Sequence, residues 1–479
     1  MNYIVEGYQP ARVFRFFEDI CAIPHGSGNE KGVADYIEAF AKARGLEYLR
    51  DEVGNMFVRM PASAGYEQVP PLLLQGHMDM VCEKNADVEH DFLRDGLDLY
   101  IEDGFLRARG TTLGGDDGIA VAMMLAVLDG EVENHPEVEC LFTVEEETGL
   151  LGAEKFDYSV LHARRMLNLD SENEDEVTCG CAGGVRTDVV FSGEKQTCTW
   201  ESVRLSVRGL CGGHSGAEID KGRANANKVM GRLLSLAGNA SAFRLVELAG
   251  GSKDNAIPRE CFATVACADA DAFCREFLTR AEQMRGELCA QDAGFTVSAQ
   301  PDGCVQEAFC SALTDGVTAV LCCASNGVLA MSQNIQGLVE FSRNLGVVRT
   351  DEKGITCVFS SRSAIDSQLD ASIADLHTLA AVCGGSAHSY ARYPGWSYRK
   401  DSALRDAYLR AYRELYGKEP SVTVIHAGLE CGIISNRVPD MDMISIGPLM
   451  RAIHSPDEAL HLGSCERLFR AVAKVIMAK

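Results

Sequence analysis

The chain has 479 residues, more than one hydrophobic core usually supports, so two domains are expected. Its 46% hydrophobic content is ordinary for a soluble globular protein, and no apolar run approaches the roughly 20 residues that a membrane helix needs. Acidic residues outnumber basic ones 69 to 45, giving a formal net charge of −24 that repels phosphate backbones and anionic lipid and argues against nucleic-acid and membrane partners.

The first residues, Met1 to Tyr8, lack the basic start and apolar core of a secretory signal, so the expected location is the cytoplasm. Nineteen cysteines is an odd number, and most sit inside apolar patterns such as Ala266-Cys267 and Val382-Cys383. Reduced, buried thiols fit this better than a disulfide framework. Cys179-Gly180-Cys181 and Cys322-Cys323 have no second pair at zinc-site spacing and read as core cysteines.

In chain order, residues 9–25 and 29–45 read as amphipathic helices, the second closed at Gly45. Leu72 to Gln75 is a buried strand, Thr111 to Asp116 a glycine-rich turn, and Asp117 to Asp129 a helix apolar nearly all round, stopped by Gly130. Strands follow at Val138–Val144 and Arg165–Leu169. This alternation predicts an α/β fold: a mixed, mostly parallel sheet with helices on both faces. After Gly183-Gly184 the texture changes. Residues 187–209 alternate polar and apolar like a strand buried on one face, and a helix is expected at 218–237. A second such unit begins near Gly294 and runs to about 345, so the segment reads as an α+β lid of two similar halves. From about Tyr393 the first texture returns, with a helix at 401–416, strands at Val422–Ile425 and Met443–Ile446, and a closing helix at 457–477. The predicted organisation is a catalytic domain in two parts, 1–186 and 393–479, interrupted by an inserted lid at 187–392.

Ligands in open α/β sheets gather at the carboxyl ends of strands, where His77, Asp79, Glu146, Glu147, Asp170 and His454 all fall. Imidazole and carboxylate are a ligand set for zinc, cobalt or manganese. Two divalent ions about 3.5–4 Å apart need a shared anion, and Asp116, at the tip of the glycine turn, is placed to bridge them. Taken alone, Asp116 reads as a helix N-cap and Glu145-Glu146-Glu147 as a solvated acidic turn; it is their company that reverses this. One glutamate of the run can bind metal while its neighbour serves as general base. Asp79 can orient the His77 ring through its other nitrogen. Ser455, Pro456 and Glu458 read as the capping box of the closing helix, whose N-terminus would keep His454 neutral.

The strings Gly76-His77-Met78-Asp79, Gly114-Gly115-Asp116-Asp117-Gly118, Glu146-Glu147-Thr148-Gly149, Leu169-Asp170-Ser171-Glu172, Gly213-His214-Ser215-Gly216, Asn255-Ala256-Ile257-Pro258-Arg259 and His454-Ser455-Pro456 occur in one order over nearly the whole chain. They closely resemble the bacterial aminoacyl-histidine dipeptidases (peptidase D, or cytosol non-specific dipeptidases), a branch of the di-zinc peptidases that include carboxypeptidase G and the carnosinases. The resemblance implies that His77 and Asp170 hold one zinc and Glu147 and His454 the other, with Asp116 bridging. It implies Glu146 as general base and acid, Asp79 steering His77, and a cis peptide bond at Asp116-Asp117. In the lid, it implies that His214 stabilises the oxyanion while Asn255 and Arg362 hold the carboxylate end of the substrate. Glu430 would meet the free amine.

The activity so implied is hydrolysis of dipeptides, of Xaa-His, carnosine-like or broader kind, by a water activated between two zinc ions. An amidohydrolase or N-acyl amino-acid deacylase on the same scaffold is the alternative; it would lack the ammonium partner that Glu430 supplies. An inactive binding protein would lack a ligand or the base, and none is missing. The partner expected is a small peptide; a homodimer is compatible with the sequence. The Glu146-Glu147 register rests on the Thr148-Gly149 that follows.

Overall fold

The structure is a computed structural model that describes residues 3–288 and 290–479. These divide into two compact units: one formed by the chain up to Gly180 with Trp396–Val424 and Leu429–Lys479, the other by Cys181–Gly395 with Ile425–Gly428.

The first unit is built on an eight-stranded sheet. At its centre, Val138–Thr143, Leu72–His77, Arg165–Asn168 and Asp442–Ser445 run parallel. Met56–Met60 and Glu47–Arg50 extend one side antiparallel, and Glu176–Cys181 and Ser421–Ile425 complete the other. Every residue of Leu72–His77 and of Val138–Thr143 is buried, as expected of parallel strands covered on both faces. Leu72, Leu74, Val138 and Cys140 join one core with helices Ala11–Cys21, Lys31–Arg44 and Gly115–Ala126. Leu73, Leu141 and Met166, pointing the other way by strand alternation, are equally buried. The mixed, centrally parallel α/β sheet therefore agrees with the sequence pattern, and the shared strand direction puts His77, Thr143, Asn168 and Ser445 at one end.

Some expected boundaries move, for local reasons. The helix expected over Asp117–Asp129 spans Gly115–Ala126 and then widens into a π-type turn, Val127–Glu131, where Gly130 takes φ 82°. The closing helix starts at Leu462 rather than near Asp457, because Ala459–His461 is drawn into a strand against Phe105–Ala108, and the His461 ring accepts the Ser464 N–H as cap. Ser455 to Glu458 are consequently a turn, and the capping box expected there does not form.

In the second unit a continuous antiparallel sheet runs in the order Thr296–Cys304, Glu201–Arg208, Cys261–Cys267, Phe243–Gly250, Val339–Asp351, Gly354–Ser363, Gly183–Ser192, Ser386–Tyr393. The strand expected over 187–209 is thus two strands far apart in the sheet. The helix expected from 218 begins at Ala226, after a short 3-10 turn at Ile219–Lys221 and Gly222 with φ 67°; the Asn225 side chain caps it. Two β-α-β-β-α-β runs share one strand order. The first spans 201–304; the second joins 183–192 to 311–393, with Ser311–Cys323 and Asp366–Val382 as its helices. The second half expected from Gly294 to about 345 is therefore discontinuous in sequence, which is why a linear search finds no repeat. No helix among the described residues is long and apolar enough to cross a membrane.

One close approach ties fold to site. Gly447 follows the strand Asp442–Ser445, and a Cβ there would overlap the Ser171 carbonyl, next to Asp170. Gly447→Ala is expected to cost about 1–3 kcal/mol or more, read as a lower urea midpoint; an unchanged midpoint would show that the Ser171 loop yields freely.

Candidate metal centre and active site

His77 ends its buried strand with Nε2 lying 3.1 Å from Asp116 Oδ1 and 3.7 Å from Asp170 Oδ1. His454 comes from the loop before Ala459–His461, at φ 59°, a backbone state unusual for a residue with a Cβ. Its Nε2 lies 3.2 Å from Asp116 Oδ2 and 2.8 Å from Glu147 Oε1. The two oxygens of Asp116 thus face two different imidazoles. The groups His77–Asp116–Asp170 and Asp116–Glu147–His454 each bring their ligand atoms within 4.8 Å of one another, and they share Asp116. Glu146 joins His77 and Glu147 in a third such group. Among the described residues Glu145 belongs to no such group.

Three loops are held in place largely through their backbone. Asp79, fully buried, accepts the Ser27 hydroxyl at 2.7 Å, the Glu146 N–H at 3.0 Å and the Glu147 N–H at 3.3 Å. The close partner of His77 Nδ1 is the Asp79 main-chain oxygen at 3.0 Å, and the carboxylate expected to orient the ring lies at 3.4 Å. Asp117 Oδ2 accepts the His77 N–H at 3.3 Å, and the Asp116–Asp117 peptide bond is cis. Glu30 accepts from the N–H of Glu145, itself at φ 49°.

Electrostatics follow from crowding carboxylates in a buried place. Burial disfavours charge on His77, yet hydrogen bonds to Asp116, Asp170 and Asp79 overcome this and hold its pKa well above the usual value. His454 is pushed up to about 10 by its hydrogen bond to Asp116 and by the Glu147 carboxylate 2.8 Å away. Burial raises Asp170 to about 6, Glu172 to about 7 and Glu146 well above an ordinary carboxyl. Asp116 stays low despite burial, because both imidazoles hydrogen-bond it. The arrangement demands positive charge. Glu147 Oε1 is buried and close to His454 Nε2 without making a hydrogen bond, as expected of lone pairs aimed at a common centre. The residues therefore fit a pair of divalent cations bridged by Asp116.

Glu430 begins the helix Glu430–Arg437 and is wholly buried. Its Oε2 accepts from Gln75 Nε2 at 2.5 Å and Thr143 Oγ1 at 2.7 Å, while Oε1 has no hydrogen-bond partner among the described residues; Gln75 is in turn held by Asn168 at 2.6 Å. Burial raises Glu430 to about 7.

His214, Asn255 and Arg362 lie in the second unit. His214 and Asn255 sit on a small ribbon in which Gly213–His214 pairs with Ala256–Ile257. The His214 Nδ1 accepts the N–H of Ala217 at 3.0 Å, and burial with the nearby Arg362 charge lowers its pKa. Arg362 donates to Tyr393 Oη at 3.3 Å and keeps a buried Nε that has no hydrogen-bond partner among the described residues. Beside them is His426, which the sequence reading missed; it bonds Ser342 Oγ at 2.6 Å, and burial plus the Arg362 charge lowers it to about 4. It lies in no motif, and only the fold reveals its place. Glu172, Ser27 and Glu458 were likewise missed as site neighbours. Of these only Glu172, two residues past Asp170, carried a signal in spacing.

Fold and site together define a metallohydrolase-like α/β frame, and residues 73–478 match Peptidase family M20/M25/M40, to which the chain belongs. It is 38% identical over 459 residues, 95% of each chain, to the protein named cytosol non-specific dipeptidase of Escherichia coli strain K12. The crystal structure of aminoacylhistidine dipeptidase from Vibrio alginolyticus superposes with a TM-score of 0.93 at 37% identity, covering 98% of this chain and 97% of that one. The aminopeptidase PepT of Bacillus cereus, at 16% identity, 98% coverage of both chains and a TM-score of 0.57, shares the fold. The chain is thus a hydrolase of a peptidase family.

Glu430 gives a pH test. A carboxyl raised by burial imposes no penalty below its unfolded pKa and a full one above its folded value. The substrate-free protein should therefore lose stability, relative to Glu430→Gln, as pH rises from 5 to 8, by up to about 3 kcal/mol. Thermal melts of both proteins across that range check it, and parallel curves would count against a strained carboxylate.

Proposed function

We propose that this protein is a dinuclear-metal dipeptidase of the cytoplasm, the first unit catalytic and the second a lid. The observation that carries the proposal is the Asp116 carboxylate between His77 and His454, flanked by Asp170 and Glu147, with Glu146 beside them. The name of the Escherichia coli relative, a cytosol non-specific dipeptidase, supports the substrate class and the location.

In this reading His77 and Asp170 hold one ion, Glu147 and His454 the other, and Asp116 bridges; zinc is the proposed metal, with cobalt and manganese suited to the same donors. When bound, such ions polarise the scissile carbonyl and lower the pKa of water toward about 7. Glu146 takes the proton of the attacking water and returns it to the leaving nitrogen, a task for which a carboxyl raised by burial is better matched than an ordinary one. Asp79 fixes both ends of this exchange, holding the His77 ring and the Glu146 N–H at once. Glu430 Oε1, buried and without a hydrogen-bond partner among the described residues, suits the free ammonium of a short peptide. His214, Asn255 and Arg362 are the proposed partners of the oxyanion and the substrate carboxylate, for which an arginine fork with a free N–H is suited.

Three experiments test this. Glu146→Gln should abolish turnover of dipeptides with metal content near that of wild type, whereas His454→Ala should lose both; equal metal loss would overturn the division of roles. Chelated wild type should regain dipeptide hydrolysis with zinc or cobalt and leave N-acetylated dipeptides uncut. Glu430→Ala should lose about 2 kcal/mol or more of kcat/KM on free dipeptides, the typical cost of removing a charged hydrogen-bond partner. Efficient cleavage of N-acetyl substrates would instead favour the deacylase alternative.

A further inference from the structure

The turn that carries Asp116 has an unusual neighbour. Glu458, only 3% exposed, directs both carboxylate oxygens at four consecutive backbone N–H groups: Oε2 accepts from Leu113 at 2.8 Å and Gly114 at 3.2 Å, and Oε1 from Gly115 at 2.8 Å and Asp116 at 3.4 Å. The glycines make this approach possible. A Cβ on Gly115 would come within 3.2 Å of Glu458 Oε1, and one on Gly114, at φ 67°, within 2.9 Å of Met80 Sδ and 3.3 Å of His25 Nε2. From below, then, the turn rests on Met80 and His25; from the other side it is gripped by a carboxylate.

Glu458 belongs to the tight turn that begins at His454. Its own N–H donates to the Ser455 oxygen at 3.0 Å, and Ser455 Oγ donates to the Ala452 oxygen at 2.6 Å. Next to it, the Asp457 carbonyl is held by Arg107 at 3.0 Å, and Leu460 pairs with Leu106. The turn is therefore anchored to the small sheet on one side and to the Asp116 loop on the other. Asp116 and His454 are 338 residues apart in sequence, and their side-chain contact joins a ligand pair that cations would separate and re-aim. Only a link that does not pass through the ligand atoms can fix how far apart the two loops sit.

We propose that Glu458 is a positioning residue for the metal centre: by clamping the 113–116 backbone it sets the Asp116 loop against the His454 turn, so that the bridging and terminal ligands are aligned before metal arrives. Resting on the two-cation reading above, this predicts an effect on metal affinity and on the chemical step, not on substrate affinity. An amide in place of the carboxylate keeps size and one acceptor but turns an NH2 toward backbone N–H donors.

The test uses the full-length chain and its E458Q variant, each stripped with a chelator and titrated with Zn2+ against a chromogenic competitor, with circular dichroism alongside. Wild type should take up two zinc ions per chain, and E458Q should bind them about 10- to 100-fold more weakly, the usual effect of removing support from metal ligands. At saturating zinc, kcat for a dipeptide should fall while KM stays within about twofold, the mark of an interaction lost in the transition state. Asp457→Asn, one residue away and solvent-facing, should match wild type in both. Equal zinc affinity and kcat in E458Q and wild type would overturn the inference alone. A wild type that binds no zinc would overturn the metal-centre reading and this inference with it. Loss of secondary structure in E458Q would make Glu458 a folding element and equally overturn the positioning role.

Discussion

The carboxylate of Asp116, pressed between two imidazoles inside a group of other acids, sets the terms for the first unit. Like charges 4 Å apart in a partly buried setting repel by about 4 kcal/mol at an effective dielectric of 20. Burial and the neighbouring carboxylates push Asp170 and Glu146 toward the protonated form, and His77 and His454 are drawn toward the charged form by the acids beside them, so the group calls for positive charge. A flexible scaffold would relieve the repulsion by spreading. The parallel strands do not permit it: His77 is fixed at the end of one buried strand, and Asp170 and the Glu146–Glu147 pair lie just beyond the ends of its two parallel neighbours, Arg165–Asn168 and Val138–Thr143.

Between strand ends and ligand atoms stand loops, and these are secured by a second tier of acids whose task is to accept backbone N–H groups. Asp79 holds the glutamate loop, Asp117 the His77 backbone, Glu30 the start of the glutamate run, and Glu458 the glycine turn. Several loop residues occupy left-handed backbone states that a side chain disfavours, among them Glu145, Leu150 and His454. Such states persist when the surroundings over-determine them, and the buried carboxylates supply that determination. Part of the acidity near the centre therefore faces main-chain N–H groups and not the ligand atoms.

The parallel core was legible in the sequence because burial on both faces leaves a plain mark: Leu72 to Leu74 and Cys140 to Phe142 are unbroken apolar runs, and the acids that follow them mark the working end. The ligand set could be read for the same reason, with the family resemblance assigning roles that spacing left open. The Glu458 region misled. Ser455-Pro456-Asp457-Glu458 has the composition of a helix start, but pairing of Leu460 with Leu106 is a long-range contact that local pattern does not encode, and it moved the helix to Leu462. His426 was invisible because its significance lies entirely in its neighbours Ser342 and Arg362. Likewise, Gln75 and Thr143 read as ordinary strand residues until Glu430, 355 and 287 residues away respectively, is brought against them.

The second unit shows how a repeated frame can hold unequal chemistry. Its two halves share strand order and helix placement, yet the residues singled out for substrate are not equivalent in them. The first half carries His214 and Asn255 on a ribbon formed between its sheet strands, whereas the second carries Arg362 near the end of the strand Gly354–Ser363, close to Tyr393. Packing constrains the frame, because both halves contribute to one apolar core that includes Leu205, Leu245, Leu345 and Phe359. The excursions between strands are free of that constraint, so they can diverge while the sheet remains continuous. An arginine whose buried Nε has no hydrogen-bond partner among the described residues and a histidine whose pKa is lowered by burial and by that same arginine's charge set this unit apart from the acidic first one, a pairing chemically suited to a carboxylate.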